Sequence, residues 1–170
     1  GREHRLLHDC SLTRFVRDAC LPNVALQPRR ARSLDLSHDD TPAVGCKVPT
    51  LPLKSQLLLK DVAPDLGDQL RWKWTKGQAT TFAELGDPAT SDSYELCLYG
   101  PGPSLLFRGR ADAAGACAGR ACWKTITGKG YGFKDKDRTP DGVEKLSLVS
   151  GPDGAAKISA KGKGPLLHMP

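Results

Sequence analysis

Aromatic side chains are scarce in this sequence: three Trp, three Tyr and four Phe among 170 residues. Together with 18 Gly and 13 Pro, that composition suits a turn-rich β architecture and argues against a helical bundle. Long apolar runs are also missing. No stretch approaches the roughly 18 residues that cross a bilayer as a helix, so no membrane span is expected. G-x-S-x-G, H-E-x-x-H and P-loop signatures are absent, which removes the clearest sequence markers of an α/β-hydrolase, a zinc protease or an NTPase. A second close pair of Cys is lacking too. A structural zinc site usually needs two such pairs, and only Cys117 and Cys122 stand near each other. A redox motif would have two intervening residues at a helix N-terminus, and neither condition is met. The net charge is +6 with pI near 9.1, yet no basic block is interleaved with several aromatics. No nucleic-acid partner is expected; lysines spread singly along strands read as solvated faces and protected sheet edges.

What is present divides the chain in two. Through residue 50 the basic residues are seven Arg and a single Lys, and three of the four His fall here; beyond it Lys dominates. LLHDCSLTRFVRDACLP, residues 6–22, predicts a short amphipathic helix, with Ser11 as cap, Leu12, Phe15 and Val16 at helical spacing, and Pro22 as its end. QPRRARSLDLSHDDTPAVG, residues 27–45, is polar and aperiodic and predicts a linker. The expected division is an N-terminal extension over 1–50 and a β module over 51–170.

The module is written in period two. In QLRWKWTKG, Leu70, Trp72 and Trp74 share one face and Arg71, Lys73 and Thr75 the other. In SYELCLYG, Tyr94, Leu96 and Leu98 oppose Glu95, Cys97 and Tyr99. LPLKSQLLLKD, SLLFRG, GYGFKDKD, VEKLSLVSG and AAKISAKGKG are the other strands, separated by GDPATSD, GPGP, the cysteine loop, RTPDG and GPDG. The prediction is all-β: an antiparallel sandwich or partly open barrel of 7–8 strands.

Six cysteines allow 15 complete pairings. Cys117 and Cys122 bracket Ala-Gly-Arg-Ala, a loop short enough to bring the sulfurs together, and read as a structural disulfide. Cys10 and Cys20 flank the expected helix and can pair across it, leaving Cys46 and Cys97 either bonded to each other or free. Disulfides place the chain in an oxidising compartment, extracellular or periplasmic. A first residue of Gly rather than Met reads as a processed or excised piece whose export signal is gone.

Catalytic chemistry finds little to stand on. His4, His8, His38 and His168 all lie in terminal or linker-like segments, away from a core strand that would pair them with a nucleophile. His4 and His8, four apart, read as solvated residues near a terminus. Asp39-Asp40 falls in the linker. Asp135 and Asp137 are flanked by Lys134 and Lys136, which would repel a cation, and Asp87 and Asp92 read as turn formers. No catalytic residue, metal or cofactor is expected. Among the rings, Trp72 and Trp74 share the face of Leu70 and belong to the core, and Trp123 is placed to pack over the disulfide. Tyr99 and Tyr131 are expected to be exposed, and with Trp123 they are the candidate ligand-binding residues, stacking on sugar rings.

The ordered series LLLKD, LRWKWTKG, GDPATSDSYELCLYG, CAGRACWK, GYGFKDKDRTPDGVEKLSLVSG and AAKISAKGKG resembles an uncharacterised β-rich module recurring in predicted exported proteins of deltaproteobacteria and related environmental bacteria. The resemblance covers about two-thirds of the chain and implies a secreted module attached to larger, varied proteins; the function expected of it is that of a non-enzymatic accessory module, structural or adhesive. It carries no catalytic residue. Its members continue past the KGKG strand into one with a Cys-Trp pair; this chain ends at LLHMP. If the family's last cysteine bonds the one matching Cys97, then Cys97 lacks that partner here. Partners consistent with this reading are a surface glycan or other domains of a parent protein. The alternatives are a carbohydrate-binding module using exposed aromatics and a fragment of an extracellular hydrolase.

Overall fold

The computed structural model describes residues 2–6, 19–21, 24–30, 47–99 and 105–170, the first three segments by their backbone alone. The fold is all-β. Its strands are β1 (Arg2–Leu6), β2 (Ala19–Leu21), β3 (Val24–Arg30), β4 (Ser55–Asp61), β5 (Gln69–Gly77), β6 (Asp92–Tyr99) and β7 (Leu105–Ala111). They continue with β8 (Ala116–Cys117), β9 (Arg120–Ala121), β10 (Trp123–Ile126), β11 (Gly130–Lys134), β12 (Val143–Val149) and β13 (Ala156–Lys163). A seven-stranded antiparallel sheet runs β1-β4-β5-β13-β12-β11-β10, a four-stranded one β2-β3-β6-β7, and β8-β9 is a small hairpin.

The alternation in the sequence becomes two faces because directly opposed residues of antiparallel strands point the same way. One inward row crosses the large sheet as Leu57, Trp72, Ala160, Leu146, Phe133 and Trp123. The next is Ser55, Trp74, Ile158, Leu148 and Tyr131. Tyr94, Leu96, Leu98, Phe107 and Ala111 of the smaller sheet join them in one core. Full burial of each large apolar side chain is worth about 1.5–3 kcal/mol relative to exposure. Trp72 and Trp74, the two most deeply buried tryptophans, are 0% and 1% exposed. The polar handle of Trp72 is met by Nε1 donating to Ser55 Oγ at 3.3 Å.

Two glycines are demanded by this packing. A Cβ on Gly77 would fall 1.9 Å from the Trp74 ring. At Gly130, where φ is 154°, it would fall 1.9 Å from the Leu148 carbonyl oxygen, which no side-chain rearrangement relieves.

Several sequence expectations need correction or placement. Residues 7–18 of the predicted helix lie outside the described residues, but its ends, Leu6 and Ala19–Leu21, are strand. Gln27–Arg30, read as the start of a linker, complete β3, whose backbone pairs with β6 from Val24↔Leu98 to Arg30↔Asp92. Backbone hydrogen bonding to a neighbouring strand carries no requirement for apolar periodicity, so the pattern gave no warning. β1 likewise pairs with β4. The stretch after the cysteine loop adds β10, which was not anticipated as a strand.

Candidate binding face

Because the inner face of the large sheet is apolar, its chemistry is on the outer one. One outward row reads Lys134, Lys145, Lys161 and Arg71 across β11, β12, β13 and β5, all four exposed. The adjacent row reads Lys124, Gly132, Ser147, Ser159 and Lys73 across β10 to β5. Lys157 and Lys163 of β13 and Lys60 of β4 flank these rows on the same face. Nine of the chain's 25 basic residues therefore share one surface. The remaining sixteen Lys and Arg are outnumbered by the nineteen Asp and Glu of the whole chain. The net positive charge of the protein is thus a property of this face.

Carboxylates are sparse there. Glu144 sits in the bulge between Val143 and Lys145 and reaches Lys145 Nζ at 3.6 Å. Lys134–Lys145, Lys145–Lys161 and Lys161–Arg71 are directly opposed like charges, an arrangement that disfavours strand pairing. Edge protection accounts for lysines on edge strands, but β13 is the central strand of seven.

The second row contains a shallow open depression of about 400 Å³, bordered by Lys124, Lys134, Lys145 and Lys161 and lined by Ile126, Gly132, Phe133, Leu146, Ser147 and Ser159. The depression exists because the side chains in that row are small. Gly132 has no structural reason to be glycine. Its φ is ordinary, and a Cβ there would meet nothing within 4 Å.

The residues singled out from the sequence are placed differently. Tyr99, Tyr131 and Trp123, the candidate sugar-stacking rings, are 3%, 5% and 4% exposed. The expected exposure of Tyr99 and Tyr131 is overturned. Tyr131 faces inward on β11 and stacks on Phe82, with ring centroids 5.1 Å apart. Burial, and then the Asp87 and Asp92 carboxylates, push its phenol up. Trp123 packs between Tyr94 and Phe133 and donates from Nε1 to the Asp112 carbonyl at 2.7 Å. Tyr99 fails the exposure expectation because β6, an inner strand of its sheet, is buried on both faces: Glu95, Cys97 and Tyr99 are each 3% exposed. Glu95 Oε2 lies 3.8 Å from Arg108 Nε. Burial and the neighbouring Glu95 push the Cys97 thiol up, outweighing its hydrogen bond with Tyr99 and the Arg108 charge.

Cys117 and Cys122 form the expected disulfide, Cα atoms 5.0 Å apart, around the β8–β9 hairpin. Cys97 holds a free, buried thiol. Cys10 and Cys46 and the side chain of Cys20 lie outside the described residues. So do His8, His38 and Asp39-Asp40, while His4 is described by its backbone in β1 and His168 follows a short 3-10 turn near the end of the chain.

The acidic pairs organise loops. Asp135, 1% exposed, accepts from the Asp137 and Thr139 amides at 2.8 and 2.9 Å. Asp87 accepts from the Ala89 amide and the Thr90 hydroxyl, and its own amide donates to Asp92 Oδ2. Turn hydrogen bonding is the role expected of this second pair. No cluster of three or more potential metal ligands occurs among the described residues. Comparison with protein-family models, with curated proteins and with solved structures finds no match. The fold and its outer face therefore define the chain as a disulfide-stapled, two-sheet β protein with one strongly cationic surface.

The lysine face was missed because each lysine, read alone along its own strand, is an ordinary solvated residue. Only strand order and register bring residues from 71 to 161 into one row.

Proposed function

We propose that this chain is an exported, non-enzymatic accessory module with a structural or adhesive task within a larger exported protein; its resemblance to β-rich modules of exported bacterial proteins supports the export and the larger parent. The observation that carries the reading is the Cys117–Cys122 disulfide on a two-stranded hairpin beside the core. Disulfides persist in oxidising compartments and are rare in the reducing cytosol. The way the side chains are used adds support. The rings first considered for ligand stacking are core residues, and the Asp135 and Asp87 carboxylates hold loops. What remains outward and chemically distinctive is a broad sheet face, which suits contact with an extended surface. The test is fractionation of the producing cell followed by thiol alkylation and non-reducing peptide mapping. The chain is expected outside the cytoplasm with residues 117 and 122 bonded. Recovery in the cytoplasm with both thiols alkylated would overturn the reading.

A further inference from the structure

We infer that the outer face of the seven-stranded sheet binds an acidic polysaccharide, its carboxylates or sulfates lying among Lys134, Lys145, Lys161 and Arg71 and its chain seated over Gly132, Ser147 and Ser159. The inference rests on the exported-module reading for its choice of polymer, and on three features of the face for the site itself. First, like charges are held directly opposite one another on central strands, where they oppose sheet formation and edge protection gives no reason for them. A polyanion laid across the strands reverses the sign of that interaction. Second, the depression is bordered by the Lys124, Lys134, Lys145 and Lys161 ammonium groups, and its largely apolar floor, to which Ile126 contributes, also carries the Ser147 and Ser159 hydroxyls. Hydroxyl-rich sugar rings find hydrogen-bonding partners in its floor while their acidic groups reach the border. Third, Gly132 leaves room that neither its φ nor its neighbours require. A glycine in a strand interior weakens the strand, and close approach of a ligand is one of the few reasons to place one there.

The row from Lys124 to Lys73 crosses five strands, roughly 19 Å at the usual inter-strand spacing, so the face engages several sugars at once. Single-stranded nucleic acid is disfavoured because the outward positions of the two rows carry no aromatic platform for bases. A broad sheet does not enter a duplex groove, which admits a helix or a two-stranded ribbon. Insertion into a lipid surface needs a broad apolar set of side chains, and this face offers only Leu58 opposite Arg71 and Ile126 beside the depression among the cations.

The test measures retention of the whole chain on immobilised polygalacturonate and dextran sulfate at about 0.1 M salt, where exposed charges still act over about 10 Å. Neutral dextran is the blank; a single-stranded oligonucleotide and phosphatidylglycerol vesicles are the rival ligands. Binding to the acidic polysaccharides is expected, falling as salt rises, with none to neutral dextran. Combined Lys134→Ser, Lys145→Ser and Lys161→Ser should weaken it by about ten-fold or more. A charge-matched variant on the four-stranded sheet and the β8–β9 hairpin, Arg29→Ser with Arg110→Ser and Arg120→Ser, should retain most of it. Gly132→Thr is the sharpest arm: it should fold with an undiminished melting temperature and bind several-fold more weakly, because the added side chain fills the depression. Equal losses in the two triple variants, unchanged binding by Gly132→Thr, or tighter binding per charge to the oligonucleotide or the vesicles would each overturn the inference. None of these outcomes bears on where the chain resides or whether residues 117 and 122 are bonded. Failure here is therefore separate from failure of the exported-module reading.

Discussion

The two faces of the seven-stranded sheet are built from alternate residues of the same strands, yet they obey different rules. Inward, Leu57, Trp72, Ala160, Leu146, Phe133 and Trp123 form a filled row in which a small residue stands beside large ones. Interiors are packed to crystal-like density, so each volume is set by its neighbours. Outward, the register matches lysine against lysine and leaves space over Gly132. Folding explains the first face and not the second. Stability rests on one side of the backbone and the proposed binding on the other, and the comparison can be broken or sharpened by substitution.

Trp72→Ala should have the largest effect, a loss of about 3–5 kcal/mol, because a fully buried ring and its bond to Ser55 disappear together. With domain stabilities of about 5–15 kcal/mol, denaturant unfolding should show a markedly lowered midpoint or no folded baseline. The two β11 glycines provide the next contrast. Gly130→Ala should cost at least about 2 kcal/mol, since its Cβ meets a backbone carbonyl. Gly132→Ala should be neutral or stabilise by about 0.5 kcal/mol, because nothing occupies the space and the unfolded chain loses freedom. Similar losses at both positions would erase the distinction between the faces.

Replacing Cys117 and Cys122 by Ser should cost about 2 kcal/mol, the small entropy of so short a loop, read as a shift in urea midpoint with unchanged slope. A smaller, pH-dependent loss is expected at Glu84. Burial would raise this carboxyl, but bonds from Lys47 Nζ at 2.9 Å and the Thr81 amide at 2.6 Å outweigh it and hold it below its ordinary value. A depressed folded value means that the contribution is present above the unfolded carboxyl's value of 4.5 and is lost as pH falls through the folded one. Lys47→Met should therefore lower the melting temperature at pH 7 and much less at pH 3. Smallest, and of opposite sign, is Lys161→Ser. Relief of repulsion from Lys145 and Arg71 should raise stability by a few tenths of a kcal/mol, more at low salt than at high.

Much of this fold can be read from local pattern. Leu70, Trp72 and Trp74 at alternate positions announce a strand and its buried face, and the Gly, Pro and Asp clusters mark where strands end. Cys117 and Cys122 announce their bond because a five-residue separation limits the geometry to one hairpin. Local pattern failed where burial depends on what lies on top of a strand. Glu95, Cys97 and Tyr99 alternate with Tyr94, Leu96 and Leu98 as a half-exposed strand should, yet both sets are buried. Tyr131 misled for the opposite reason: it shares the inward face with Phe133, and a Tyr ring is equally at home on either side of a sheet.

Sequence alone settles what depends on neighbours a few residues apart: the period-two strands, their turns, the short disulfide loop and the sign of the net charge. Tertiary structure decides what depends on strand order and register. It gathers Lys134, Lys145, Lys161 and Arg71 from four strands into one row, places Gly132 in the row beside them, and buries β6 on both sides. The reason is physical. Side-chain direction is fixed every two residues by the backbone, whereas the identity of the opposing residue is fixed by pairing between segments up to 94 positions apart, as Lys163 is from Gln69, and no local preference encodes that distance.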